Sequence, residues 1–145
     1  MKKISILKMT TIISTICVLL VLLSSCYSSE MISYYSQKEN YISVTGTVSY
    51  MKYNEDNTAL YIGFDELSPV LDDTCFKIVG ENIKIVKANR IEDKLKMGER
   101  ISFITAPKYY GDGYVMPIVS ISINGDEVLD FEEGYENFMD WLVKN

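Results

Sequence analysis

From residue 41 onward apolar and polar residues alternate, with Ile42, Val44, Gly46, Val48 and Tyr50 on one parity and Ser43, Thr45, Thr47 and Ser49 on the other. Successive strand side chains point to opposite faces, so this period predicts a half-buried strand, and the central Gly46 predicts a bulge or bend. The polar cluster Asn54-Glu55-Asp56-Asn57 predicts a turn, and residues 58–64 a second strand that completes a hairpin. Residues 65–73, which contain Ser68-Pro69 and Asp72-Asp73, read as a loop, and residues 74–79 as a third strand. The period then changes. Ile83, Val86, Ile91 and Leu95 share a helical face, which favours one or two helical segments before the break at Gly98 over a strand at 83–86. Residues 101–106 form a fourth strand that Pro107 interrupts, residues 109–114 a turn, and residues 115–123 a fifth strand ending at Asn124-Gly125. At the end of the chain Asp130 is placed as an N-cap, Glu132 and Glu133 fall in the first turn, and Tyr135, Phe138, Met139 and Leu142 recur at helical spacing to Lys144. The pattern predicts a mainly β fold with helices (α+β).

The first 25 residues are a different polymer. Lys2, Lys3 and Lys8 precede an apolar run over residues 9–23 that ends in small residues, the grammar of a secretory signal. The run is about fifteen residues, short of the roughly 20 that cross a hydrocarbon core. Leu23-Ser24-Ser25-Cys26 resembles the bacterial lipobox. The resemblance implies a diacylglycerol thioether at Cys26, cleavage before it, and a mature chain anchored by lipid to the extracytoplasmic face of the cell membrane. Small side chains at Ser24 and Ser25 suit a peptidase's approach, and the Cys26 thiolate suits lipid transfer. Two acyl chains anchor stably where one is marginal. An ordinary cleaved signal and an uncleaved membrane anchor are the alternatives. Residues 26–40, rich in Ser and other polar side chains without sustained period, then read as a flexible tether.

Five strands, a helical segment between the third and fourth, and a long first strand bent at Gly46 resemble the five-stranded oligonucleotide/oligosaccharide-binding (OB) barrel. So does the entry to the fourth strand over residues 93–103. The organisation implied is a signal peptide at 1–25, a tether at 26–40, an OB-like barrel at 41–131 and a C-terminal helix at 132–145 packed on it. The chain is also similar to small lipoproteins of Gram-positive bacteria. Another small β-barrel or an α+β sandwich is the alternative fold. In OB domains ligands meet strands 2 and 3 and the loops joining strands 1–2 and 4–5. The resemblance therefore implies Tyr50, Tyr53, Tyr109, Tyr110 and Tyr114 as contacts for a protein, peptide or envelope-glycan ligand. The same tyrosines also suit packing.

Charge narrows the function. The whole chain carries −6. Setting aside Lys2, Lys3 and Lys8 leaves eleven basic against twenty acidic side chains, a net of −9. That balance repels phosphate and argues against nucleic acid. The chain has no His, so Ser-His-Asp, Cys-His and zinc-His arrangements are absent. The acid pairs Asp72-Asp73, Glu92-Asp93, Asp126-Glu127 and Glu132-Glu133 fall at turns and helix ends, where solvation and helix dipoles account for them. No catalytic residue, no metal site and no cofactor beyond the lipid at Cys26 is expected. Cys17 leaves with the signal, and Cys75 and Trp141 read as core residues. Two readings follow: a non-enzymatic, lipid-anchored binding module, or a structural or accessory subunit of a larger membrane-associated complex.

Overall fold

The computed structural model describes residues 2–110 and 113–145, with the side chains of residues 2–10 and 22–27 outside the description. It divides into two compact units, residues 1–34 and residues 35–145. The first unit lies within one helix, α1 (Lys2–Tyr35), whose side chains from Ile12 to Val21 are exposed. Among the described residues no helix is long and apolar enough to cross a membrane. The Cys26 side chain, and with it the proposed lipid attachment, lies outside the described residues.

The second unit begins earlier than the alternating pattern indicates. The stretch expected to be an aperiodic tether is helical to Tyr35, and a short 3-10 helix spans Lys38–Asn40. Tyr35 is fully buried. Its ring meets Phe138 at 5.2 Å and Tyr110 at 6.2 Å, and its hydroxyl donates to the Lys108 carbonyl. Tyr41 Oη donates back to the Tyr35 carbonyl at 3.0 Å, and Lys38 pairs with Glu132. Aromatic contacts of this kind act without any sequence period, which is why alternation misses them.

The fold is mixed α+β. One six-stranded sheet has the order β3-β2-β1-β4-β5-β6, from β1 (Ile42–Tyr53), β2 (Ala59–Ser68), β3 (Cys75–Val79), β4 (Arg100–Thr105), β5 (Met116–Ile123) and β6 (Asp126–Leu129). All neighbours in that order are antiparallel, and β3 additionally pairs parallel with β5 at Phe76–Met116 and Lys77–Pro117. That pairing closes β1, β2, β3, β5 and β4 into a ring and leaves β6 as an added strand. The pattern predicts five strands; the sixth follows a tight turn at Asn124 (φ 53°) and Gly125 (φ 84°), the left-handed pair that hairpins favour.

Inward-pointing residues of all five ring strands fill the centre. Phe64 and Phe103 stack at 4.4 Å, and Phe76 meets both edge-on at 5.6 and 4.8 Å. Each such pair contributes about 0.5–1.5 kcal/mol beyond burial. Gly46 sits where the β1–β2 register slips, and a Cβ there would lie 2.9 Å from Leu67 Cδ2 and 3.0 Å from Phe64 Cβ. The bend expected at this glycine is thus also a close approach. Between β3 and β4 run α2 (Glu81–Ala88) and α3 (Ile91–Lys94), and Ile83, Val86, Ile91 and Leu95 all enter the core.

The closing helix α4 (Phe131–Lys144) starts at Asp130, whose carboxylate accepts from Glu133 N at 3.1 Å. It lies against β5 at Gly134, where a Cβ would fall 1.9 Å from the Val119 carbonyl oxygen. Buried Asn82 on α2 donates to the Gly134 carbonyl at 2.8 Å and accepts from Asn137 at 3.1 Å. This buried polar side chain, with its donor and acceptor both engaged, fixes α4 relative to α2.

Candidate functional site

The five tyrosines implied by the OB resemblance do not form one surface. Tyr110 is buried, 2% exposed, between Tyr35, Phe138 and Trp141, with ring centroids at 6.2, 5.3 and 5.7 Å. Its hydroxyl has no partner among the described residues. Burial therefore pushes the Tyr110 phenol well above its usual range, with the neighbouring Tyr35, Tyr61 and Cys75 adding to the shift. Tyr110 is a packing residue. Tyr53 ends β1 and donates to Glu92, while Lys87 Nζ sits 4.5 Å from its ring centroid. Tyr109 and Tyr114 meet edge to face at 5.6 Å, and Tyr114 is 79% exposed.

Tyr50 lies on β1 rather than in a loop, opposite Gly63 of β2, which in turn faces Cys75 of β3. A Cβ on Gly63 would fall 2.0 Å from Tyr50 Cε1, so the ring rests directly on that backbone. Its hydroxyl donates to Cys75 Sγ at 2.8 Å. Cys75, expected as a small buried hydrophobe, is half-buried. Burial raises the Tyr50 phenol to about 12, reinforced by its bond to Cys75 and by the charge of Asp73.

One cleft gathers a different set. It has a volume of about 620 Å³ and is walled by the β1–β2 turn (Asn57), the end of β3 (Lys77), α2 (Lys84, Lys87) and the end of α4 (Trp141, Asn145). The turn is tied together by Asn54, whose Oδ1 accepts from Thr58 N at 2.8 Å and Ala59 N at 2.9 Å. Buried Ala59, Val79 and Ile83 line its apolar part. Trp141 is half-buried rather than core, and it packs on the backbone of Gly80, where a Cβ would lie 3.0 Å from Trp141 Cβ. Gly80 has φ 63°, a left-handed value that turns β3 sharply into α2.

The cleft reverses the sign of the chain. Three lysines, Lys77, Lys84 and Lys87, face it against one acid, Glu81. Lys77 Nζ lies 5.3 Å from the Tyr61 ring centroid and 5.9 Å from those of Tyr110 and Trp141. Lys84 pairs with Glu81 at 2.8 Å on the exposed surface of α2. Lys87 reaches the Asn57 carbonyl at 3.5 Å. Such a set is suited to holding an anion. Among the described residues, no three His, Cys, Asp or Glu side chains gather as metal ligands. These cleft residues escape sequence reasoning because they come from four separate elements; the only trace is Lys84 and Lys87, three apart on one helix face. No protein-family model, curated protein or solved structure matches the chain.

Proposed function

We propose that this chain is a lipid-anchored extracytoplasmic binding module, non-enzymatic, and that it receives its ligand in the cleft between α2, α4 and the β1–β2 turn. The cleft is the observation that carries the reading: about 620 Å³, within the range of ligand sites, with one aromatic wall and a few convergent polar groups. The OB assignment belongs to the same proposal. The ring order β1-β2-β3-β5-β4, the parallel β3–β5 closure and the helices between β3 and β4 support it, and β6 is an addition to that plan. The OB ligand face is then displaced toward the β1–β2 turn, away from the tyrosines of the β4–β5 loop.

Anchoring rests on Lys2, Lys3, Lys8 and the sequence Leu23-Ser24-Ser25-Cys26. The exposed apolar side chains of α1 from Ile12 to Val21 suit a segment directed to a membrane. Metabolic labelling with a fatty-acid probe tests it: wild type takes the label and Cys26→Ala does not. Label on neither form, or on both, overturns the anchor. Binding of the anchored protein to envelope fractions tests the module, and Lys84→Gln is expected to weaken it without lowering the thermal midpoint.

A further inference from the structure

The ligand class of this cleft follows from its charge and its wall, and so rests on the binding reading above. We infer that the cleft takes an acidic saccharide, with a sugar face against Trp141 and carboxylate or phosphate groups against Lys77, Lys84 and Lys87.

Three observations lead there. First, three of the eleven basic side chains beyond residue 25 converge on one cleft with a single acid among its lining, in a region that carries −9. A local positive field on an acidic protein steers anions to that place and away from the rest of the surface. Second, the lysines are placed but not saturated. Among the described residues Lys84 pairs only with Glu81, both side chains being more than half exposed, and such pairs contribute little. Among the described residues Lys87 has a carbonyl at 3.5 Å and a ring at 4.5 Å, and Lys77 has rings alone at 5.3–5.9 Å. An entering carboxylate or phosphate gains charge-assisted hydrogen bonds without breaking a buried ion pair. Third, the remaining surface suits hydroxyls. Asn57 presents an exposed side-chain amide, Asn145 donates to the Trp141 carbonyl at 2.9 Å and keeps its side-chain oxygen for a ligand, and Trp141 offers an aromatic surface.

The test uses the full chain in a non-ionic detergent and four probes of matched length. These are an oligogalacturonate, a phosphodiester-linked oligosaccharide, a neutral maltooligosaccharide and a poly-glutamate peptide. Calorimetry at low and high salt is paired with amide and indole NMR shifts. At least one of the two acidic saccharides is expected to shift Lys84, Lys87 and the Trp141 indole, with affinity falling as salt rises. Which of them binds tighter identifies the source of the anion. Lys84→Gln and Lys87→Gln are each expected to weaken binding about fivefold or more while leaving the thermal midpoint unchanged. Because Trp141 also packs on Gly80, the lysine variants carry the test should Trp141→Ala fail to fold. Equal, salt-independent binding of the neutral saccharide in the cleft overturns the acidic class and leaves the cleft as the site. Preferential binding of poly-glutamate there overturns it in the same way. Shifts confined to residues outside the cleft overturn both readings.

Discussion

The Tyr50 hydroxyl donates to Cys75 Sγ at 2.8 Å, so a β1 side chain reaches over β2 to β3 across the backbone of Gly63. A Cβ on Gly63 would fall 2.0 Å from the Tyr50 ring. Because Tyr50 is 40% exposed, the ring can swing aside, and Gly63→Ala is expected to cost about 1–2 kcal/mol, the lower part of the overpacking range. In a Tyr50→Ala background most of that cost disappears. Urea unfolding of the four proteins in the cycle measures it, and additive losses contradict the contact.

Tyr110 makes an opposite kind of prediction. Its ring is packed among Tyr35, Phe138 and Trp141, but its buried hydroxyl is unpartnered among the described residues. Tyr110→Ala should lose about 3–5 kcal/mol through the cavity it leaves. Tyr110→Phe keeps the ring and removes an unsatisfied polar atom, so it should be neutral or stabilising by about 1 kcal/mol or more. A clear loss in the phenylalanine variant would show that the hydroxyl is bonded.

Gly134 lies inside a helix, where alanine is ordinarily favoured by about 1 kcal/mol. Here the added Cβ would meet the Val119 carbonyl at 1.9 Å, and backbone cannot yield as a side-chain tip can. Gly134→Ala is therefore expected to destabilise by about 2 kcal/mol or more, reversing the propensity order. The thermal midpoint reads the sign directly.

Stability should also fall at alkaline pH. Burial, then the bond to Cys75 and the charge of Asp73, raise Tyr50 to about 12. Tyr53 is raised by burial and by its bond to Glu92, and Tyr110 by burial. Phenols in the unfolded chain ionise near about 10. A folded value above the unfolded one favours the protonated, folded protein, so this contribution is whole below about pH 10 and is lost as pH rises through the folded values. Urea midpoints from pH 8 to 12 should decline above about pH 10, and less so in Tyr50→Phe.

Much of the fold is legible in the sequence because its signals are local. The alternation at Ile42, Val44 and Val48, the helical face of Ile83, Val86, Ile91 and Leu95, and the cap at Asp130 each report on a few neighbouring residues. β6 is lost to that reading because Asp126 and Glu127 are polar and only Val128 and Leu129 are apolar, although Asn124-Gly125 is itself a hairpin signal. Tyr109 and Tyr110 are adjacent, yet only the second is buried, and no period distinguishes them. Residues 35–41 join the fold through aromatic contacts with α4 and Tyr110, which alternation does not record. The cleft is the least legible part, since Lys77, Lys84 and Trp141 come together only when β3, α2 and α4 are in place.

A photo-crosslinking residue in place of Lys84, in the anchored protein on intact cells, tests the cleft most directly, with the same residue in place of exposed Lys96 as control. The account predicts a saccharide-bearing adduct from position 84, competed by a soluble acidic saccharide, and none from position 96. Equal adducts at both positions, or an adduct at 84 that no saccharide competes, would contradict it.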